Sequence, residues 1–333
     1  VVFLAGTLFA GFNDTAFNSF FFMQLTDPQF GMYEEPKPYP KETANFNLAI
    51  DHVNRLKPPF IVLTGDNVHG MSDTAQLNAF KKGLARLDPS IPVFQTPGNH
   101  DIGSVPTQPT INTWKSRSGP DRQAFVYNRC LFILLNSPLI KDSTGYALGF
   151  RQQRTWLDSV LNAADSKHHA RIFIVQHHSY FLKTATEANG YSNIDMPRRT
   201  EYLTLFKKHN VTAVFAGHLH NTAEGKDGTL SMVTTGPVGK PLGTGISGLR
   251  IIKVYADSVR WPFYGLNAVP QKIDMPVTAI TPLSIITFRP EAPERGGLFN
   301  AAGRRVGTLN GAAGVYLVPG TARTPSKRVF VEK

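Results

Sequence analysis

Five short polar segments bring carboxylate, amide and imidazole groups together in one order along the chain. They are Thr26-Asp27-Pro28-Gln29, Gly65-Asp66-Asn67, Gly98-Asn99-His100-Asp101, Gln176-His177-His178 and Gly217-His218-Leu219-His220. Each sits just past a hydrophobic run that reads as a β-strand. Two divalent cations about 3.5–4 Å apart hold both the attacking and the leaving oxygen of an in-line phosphoryl displacement, and lower the pKa of a bound water toward neutrality. Such a pair needs a bridging carboxylate and neutral nitrogen or oxygen donors. Asp27, Asp66, Asn99, His177, His218 and His220 supply that mixture, with Gln29 as an extra oxygen donor. No cysteine is required.

Taken singly, the segments are ambiguous. An Asp at a strand end is ordinarily a turn former or helix cap. A His-x-His pair on extended backbone points both rings to one side, because side chains alternate with period two. Gly98-Asn99-His100-Asp101 is more specific, since glycine lets the backbone turn tightly while three polar groups are presented together. Joint occurrence, each time after an apolar run, decides for one site.

The elements that must position these groups are legible from periodicity. Phe20 to Leu25 reads as a strand ending at Asp27. Phe46, Ala49, Ile50, Val53 and Leu56 then recur at helical spacing before Phe60-Ile61-Val62-Leu63 leads to Asp66, a βαβ unit. Leu77, Phe80, Leu84 and Leu87 form a second helical stripe, and Pro92-Val93-Phe94 delivers Asn99. Trp156, Leu157, Val160 and Leu161 precede the strand 171–175 that delivers His177; Tyr202, Leu203 and Phe206 precede the strand 212–215 that delivers His218. Open α/β sheets place their sites at such carboxyl ends. Residues 230–264 alternate as antiparallel β-structure. Segments 31–42, 102–123 and 182–199, with the glycine-rich 236–248, read as loops framing a pocket.

The chain has 333 residues and a formal charge of +11, enough length for one large core and a small appended domain. A basic balance favours encounter with a phosphate-bearing substrate. Eight basic and three acidic residues fall between 280 and 333, so the tail carries +5 of that charge and no nucleic acid is expected as a specific partner. Cys130 is the lone cysteine, which excludes an intramolecular disulfide and fits an inert core thiol. Residues 1–10 are apolar and too short to span a bilayer. They read as the hydrophobic core of a secretory signal, or as a first edge strand. From Pro270 the character shifts to a proline-punctuated linker and then to short strands with glycine turns.

The five segments resemble the ordered signature of the calcineurin-like metallophosphoesterases, over roughly residues 20 to 265. Asp-Pro-Gln-Phe-Gly at 27–31, Gly-Asn-His-Asp-Ile-Gly at 98–103 and Gln176-His177 are most similar to the branch of the calcineurin-like phosphoesterase domain-containing protein 1 phosphatases. The resemblance implies an α/β fold, a four-layer αββα sandwich of two mixed β-sheets flanked by helices, spanning 19–270. It implies two divalent metal ions, manganese, iron, zinc or magnesium. Asp66 would bridge them; Asp27, Gln29 and His220 would complete one, and Asn99, His177 and His218 the other. His100 would protonate the leaving alkoxide or steady the phosphoryl oxygens, and Asp101 would orient and charge its imidazole. His178 receives no role.

Two positions depart from the common pattern. Gln29 stands where most of the superfamily has His, so the first metal would be held more weakly or would be a harder ion. His69 stands where purple acid phosphatases carry a tyrosine ligand, which argues against that subclass; it either lines the pocket or packs. The implied activity is hydrolysis of a phosphate ester, small molecule or phosphoprotein, by a metal-bridging hydroxide, with a phosphomonoester expected. A phosphodiesterase or nucleotidase is the alternative within the class, and a surface binding protein with a degenerate metal site the alternative outside it.

Gly303-Arg304-Arg305-Val306, Gly314-Val315-Tyr316 and the terminal Lys327-Arg328-Val329-Phe330-Val331 are similar to the C-terminal sorting domain of bacterial type IX secretion. That resemblance implies a signal-peptide remnant at 1–18, a linker at 271–284, and a β-rich sorting domain at 285–333. Secretion machinery becomes a partner, and the protein is expected outside the cell or on its surface.

Overall fold

Apolar residues on both faces of a strand demand cover on both faces, and the arrangement that provides it here stacks two sheets and flanks them with helices. The computed structural model describes residues 17–33, 37–164 and 169–275, with two short strands at 298–299 and 305–307. The first half runs β1 (Phe20–Leu25), α1 (Pro40–Leu56), β2 (Ile61–Leu63), α2 (Thr74–Leu84), β3 (Val93–Gln95), α3 (Asn99–Ile102), α4 (Gln108–Ser118), β4 (Gln123–Tyr127) and β5 (Cys130–Leu134). It continues with α5 (Ser137–Lys141), α6 (Ala147–Ala163), β6 (Arg171–Val175), α7 (Met196–Lys208), β7 (Ala213–Ala216), β8 (Ala223–Asp227), β9 (Leu230–Thr234), β10 (Gly248–Val254), β11 (Val259–Arg260) and β12 (Phe263–Gly265).

One sheet has the order β11-β10-β1-β2-β3, with β12 also on β10; the other has β4-β5-β6-β7-β9-β8. In β1, Phe20 and Phe22 face the second sheet while Met23 and Leu25 face the helices, the period-two division of a strand. Between the sheets lies an aromatic layer. Phe22 stacks on Phe60 at 5.2 Å and meets Phe132 edge-on at 5.2 Å. Phe94 stacks on Phe125 at 3.7 Å. Each such side chain stabilises the fold by roughly 1.5–3 kcal/mol through burial alone. Outside, α1 and α2 cover the first sheet and α6 and α7 the second. These layers are the αββα sandwich expected from the resemblance.

Two expectations are corrected. Segment 102–123 contains α4, a polar helix whose buried side chains are Ile111 and Trp114; two apolar contacts on a polar surface leave little periodic signal. Residues 230–264 are not uniformly antiparallel, because β9 pairs parallel with β7, Ala213 opposite Ser231, while β10 pairs antiparallel with β1. Cys130 is buried in β5, and burial pushes its thiol well above the usual range.

At the amino end, the signal-remnant expectation falls outside the described residues up to residue 16, while Phe17 packs on the intersheet core. At the other end, Arg55 donates to the carbonyls of Pro270 (2.9 Å) and Gln271 (2.5 Å), so the first linker residues lie against α1. Leu298–Phe299 and Arg305–Gly307 pair antiparallel; the rest of the sorting-domain expectation lies outside the described residues. Among those residues, no helix is long and apolar enough to cross a membrane.

Candidate metal centre

All five segments emerge at the carboxyl ends of β1, β2, β3, β6 and β7. Strand ends alone do not turn side chains into one cleft; a local backbone departure does. Asp27 (φ 48°), Gln29 (φ 35°), Asp66 (φ 52°), His218 (φ 69°) and His220 (φ 56°) all occupy left-handed backbone. Non-glycine residues seldom adopt it, and such strain collects at functional sites. Backbone bonds hold it: Asp27 N–H donates to Gly65 O (3.1 Å), Gln29 N–H to Asp66 O (2.9 Å) and Gly217 N–H to His177 O (2.9 Å). Gly98 and Gly217 permit the close approach. A Cβ on Gly98 would fall 2.1 Å from Asp66 Oδ1, and one on Gly217 1.9 Å from Thr26 Oγ1.

Asp27, Asp66 and His220 form one cluster of donors within 4.8 Å of one another, and His177, His178 and His218 a second. His177 Nε2 joins them, 3.2 Å from Asp66 Oδ2, 3.1 Å from Asn99 Oδ1 and 3.1 Å from His218 Nδ1. His220 Nε2 lies 3.5 Å from Asp27 Oδ1. Every one of these side chains, and Gln29, is buried. Backbone carbonyls fix the rings. His177 Nδ1 donates to Thr64 O (2.7 Å), His218 Nε2 to Tyr191 O (3.2 Å) and His220 Nδ1 to Lys240 O (2.5 Å). A carbonyl only accepts, so the opposite ring nitrogen of each faces the cluster, the usual orientation device of ligating histidines.

Two orphaned atoms test whether cations fit. Asp27 Oδ2 accepts from Thr26 Oγ1 (2.6 Å) and His218 N–H (3.0 Å), and Oδ1 is left without a hydrogen-bond partner. Gln29 Nε2 lies 3.3 Å from His69 Nδ1, and Oε1 is likewise buried and unpartnered. Unpaired buried oxygens are costly, whereas they are the donors a hard divalent ion takes. The residues fit two such ions.

The electrostatics agree. Burial would raise the Asp27 and Asp66 carboxyls, but the neighbouring imidazoles, His220 for Asp27 and His177 for Asp66, hold both below the usual range. Burial opposes a charge on His177, yet Asp66 and then Asp27 raise it to about 9. Burial, then His177, pushes His218 down to about 4. Below pH 9 the metal-free protein therefore carries a proton on His177 that an incoming cation must displace. Metal affinity is expected to rise with pH through the neutral range. Calorimetry of metal binding in buffers of different ionisation enthalpy should show protons released at pH 7; binding with no release would contradict the assignment.

One sequence expectation is corrected. Asp101 does not touch the His100 ring: its Oδ2 accepts from Asp66 N–H (2.8 Å) and Gly98 N–H (2.9 Å), and Oδ1 from Asn67 N–H (3.0 Å). Asp101 lies in the first turn of α3, where a carboxylate reaches back to the unpaired N–H groups preceding the helix. Burial, then the charge of Asp66, lifts it to about 7 against those three donors. His100 is oriented instead by a backbone carbonyl, with Nδ1 donating to His69 O at 2.7 Å, while its own N–H donates to Asp66 Oδ1 at 2.8 Å. The His69 and His100 rings stack at 4.7 Å, so His69 lines the site.

His178 also acquires a place. Ser137 Oγ accepts from the N–H groups of His177 (3.1 Å) and His178 (2.8 Å), so its own proton goes to His178 Nδ1 at 3.1 Å. The ring is neutral, well below its ordinary pKa because it is buried beside His218, and packs 4.3 Å from the His218 ring. Ser137, Thr64 and Tyr191 carry no motif; within the sequence only the loop reading of 182–199 pointed toward one of them.

Donors for two cations at the strand ends of two stacked mixed sheets define a binuclear metallophosphoesterase. Residues 22–222 match the family model described as calcineurin-like phosphoesterase, and the chain belongs to that family. The serine/threonine-protein phosphatases CPPED1 of Bos taurus and Homo sapiens are 32% and 30% identical to it, each over 76% of this chain and 86% of their own length. A dimetal phosphatase from Danio rerio shares the fold, with a TM-score of 0.58 at 17% identity over 74% of this chain and 96% of that one. The chain is a phosphoric ester hydrolase whose His and Asp groups fit two divalent metals.

Proposed function

We propose that this chain is a phosphomonoesterase acting on alkyl phosphates of the phosphoserine and phosphothreonine type. Support comes from its relatives, which are named serine/threonine-protein phosphatases, and from the convergence of two donor clusters on His177 and Asp66, with Asp27 Oδ1 and Gln29 Oε1 left unpartnered. That convergence is the observation that carries the reading. Asp27, Gln29, Asp66 and His220 would hold one cation, and Asp66, Asn99, His177 and His218 the other. Bound there, two divalent ions polarise phosphoryl oxygens and make water a nucleophile near neutral pH. The amide oxygen of Gln29 favours manganese or magnesium at the first position.

The chain's own groups do the rest. Asp66 keeps His100 in register through the 2.8 Å bond to its backbone N–H. His69 O fixes the ring, so Nε2 delivers the proton to the departing alkoxide. Asp101 clamps the turns bearing Asp66 and Gly98.

Protein loaded in turn with manganese, magnesium, iron or zinc should hydrolyse aryl phosphate monoesters and phosphoserine peptides, fastest with manganese. A diester rate far above the monoester rate would replace the monoesterase reading with the phosphodiesterase one. Stoichiometric metal without turnover on any of them would leave a binding protein. The same proposal places the enzyme outside the cytoplasm, on the apolar segment 1–10 and the C-terminal motifs; recovery of the native protein wholly in the cytoplasmic fraction would refute that part.

A further inference from the structure

Tyr191 is 66% exposed, yet it sits on a loop held by buried and charged side chains. Between residues 182 and 195 the chain forms no helix, and buried or charged groups pin it instead. The Glu187 carboxylate accepts from the N–H groups of Leu182 (2.8 Å), Lys183 (2.9 Å) and Thr184 (3.2 Å) and from the Asn193 amide (2.8 Å). Lys141 Nζ donates to the carbonyls of Gly190 (2.7 Å) and Asn193 (2.6 Å). The fully buried Arg199 donates to the carbonyls of Ile194 (2.8 Å), Ala185 (3.2 Å) and Glu187 (2.5 Å). Such a network gives the loop tip one position.

At that position Tyr191 meets the metal centre three times. Its carbonyl accepts from His218 Nε2 (3.2 Å), its ring lies 4.7 Å from the His218 ring, and its phenolic oxygen accepts from Asn99 Nδ2 (3.4 Å). The Asn99 amide is thereby oriented with Oδ1 toward His177. A phenol that accepts in this way still has its own proton to give. The side chain is open to solvent, so that proton is presented where a ligand of the two cations would bind.

We propose that Tyr191 is a substrate-contact residue, donating its phenolic hydrogen to a non-bridging oxygen of the bound phosphate while the same oxygen orients Asn99. The proposal deepens, and rests on, the phosphomonoesterase reading.

Tyr191→Phe removes the hydroxyl and keeps the ring and carbonyl. At saturating manganese, calorimetric titration of the full chain with inorganic phosphate should show the Kd raised about 10-fold, and KM for an aryl phosphate should rise in parallel. Titration of the metal-free protein with manganese, followed by electron paramagnetic resonance, should show the second ion bound about 10-fold more weakly, as Asn99 loses its orienting partner. A variant that binds phosphate as the wild type does overturns the inference and leaves the phosphatase reading standing. A wild type that neither binds phosphate nor hydrolyses the ester overturns both.

Discussion

Asp66→Asn is expected to lower kcat/KM for phosphate monoesters about 1000-fold or more, since losing a single group that stabilises transition-state charge already costs about 100- to 1000-fold, and to leave at most one tightly held metal. Both oxygens of Asp66 are committed: Oδ1 accepts from His100 N–H, and Oδ2 faces His177 Nε2 at 3.2 Å. An amide has one acceptor oxygen, so either the cations or the backbone of α3 loses its anchor. The substitution is clean in other respects. Asp66 has φ 52°, a conformation that asparagine tolerates well, and the clamp from Asp101 to residue 66 uses the backbone N–H. The variant should fold, and its metal content and steady-state kinetics should fall together. Two metals per chain with activity within tenfold of the wild type would remove Asp66 as the bridge.

His100→Ala should give a loss that depends on the leaving group. Proton transfer by a positioned side chain contributes typically about 100- to 10,000-fold, and only a poor leaving group needs all of it. Hydrolysis of a phosphoserine peptide should drop by that range, whereas a nitrophenyl phosphate, whose leaving group departs unprotonated, should drop far less. Metal content should not change, because the bond to Asp66 Oδ1 comes from the backbone N–H that alanine retains. Equal losses on both substrates would make His100 a phosphoryl-binding group and not an acid.

What could be read before folding, and what could not, divides along physical lines. Asp27, Asp66, Asn99, His177 and His218 were legible because each follows an apolar run, and strand ends are fixed by local pattern. The same runs gave the alternation of strands and helices, and the resemblance supplied the sandwich. The runs did not give the strand partners: β9 lies parallel to β7, a choice made by tertiary packing and invisible to an alternation count. The orienting role that the resemblance implies for Asp101 is not the one its geometry serves, because the first turn of a helix sends a carboxylate back to unpaired N–H groups. The left-handed backbone at Asp27, Gln29, Asp66, His218 and His220 leaves no glycine as a marker. Tyr191 and Ser137 reach the site across long stretches of chain, 92 residues between Tyr191 and Asn99, and no short-range signal encodes that distance.

The donors are shared between the two stacked sheets. Asp27, Asp66 and Asn99 follow strands of one, while His177, His218 and His220 follow strands of the other. Ions held by both would act as a removable cross-link between the layers, so metal supply would become a term in the folding equilibrium. With free metal 1000-fold above its Kd, one site adds about 4 kcal/mol, against a typical total of about 5–15 kcal/mol. Metal starvation would thus do more than silence the enzyme: the idle molecules would open more often, and proteases would remove them first.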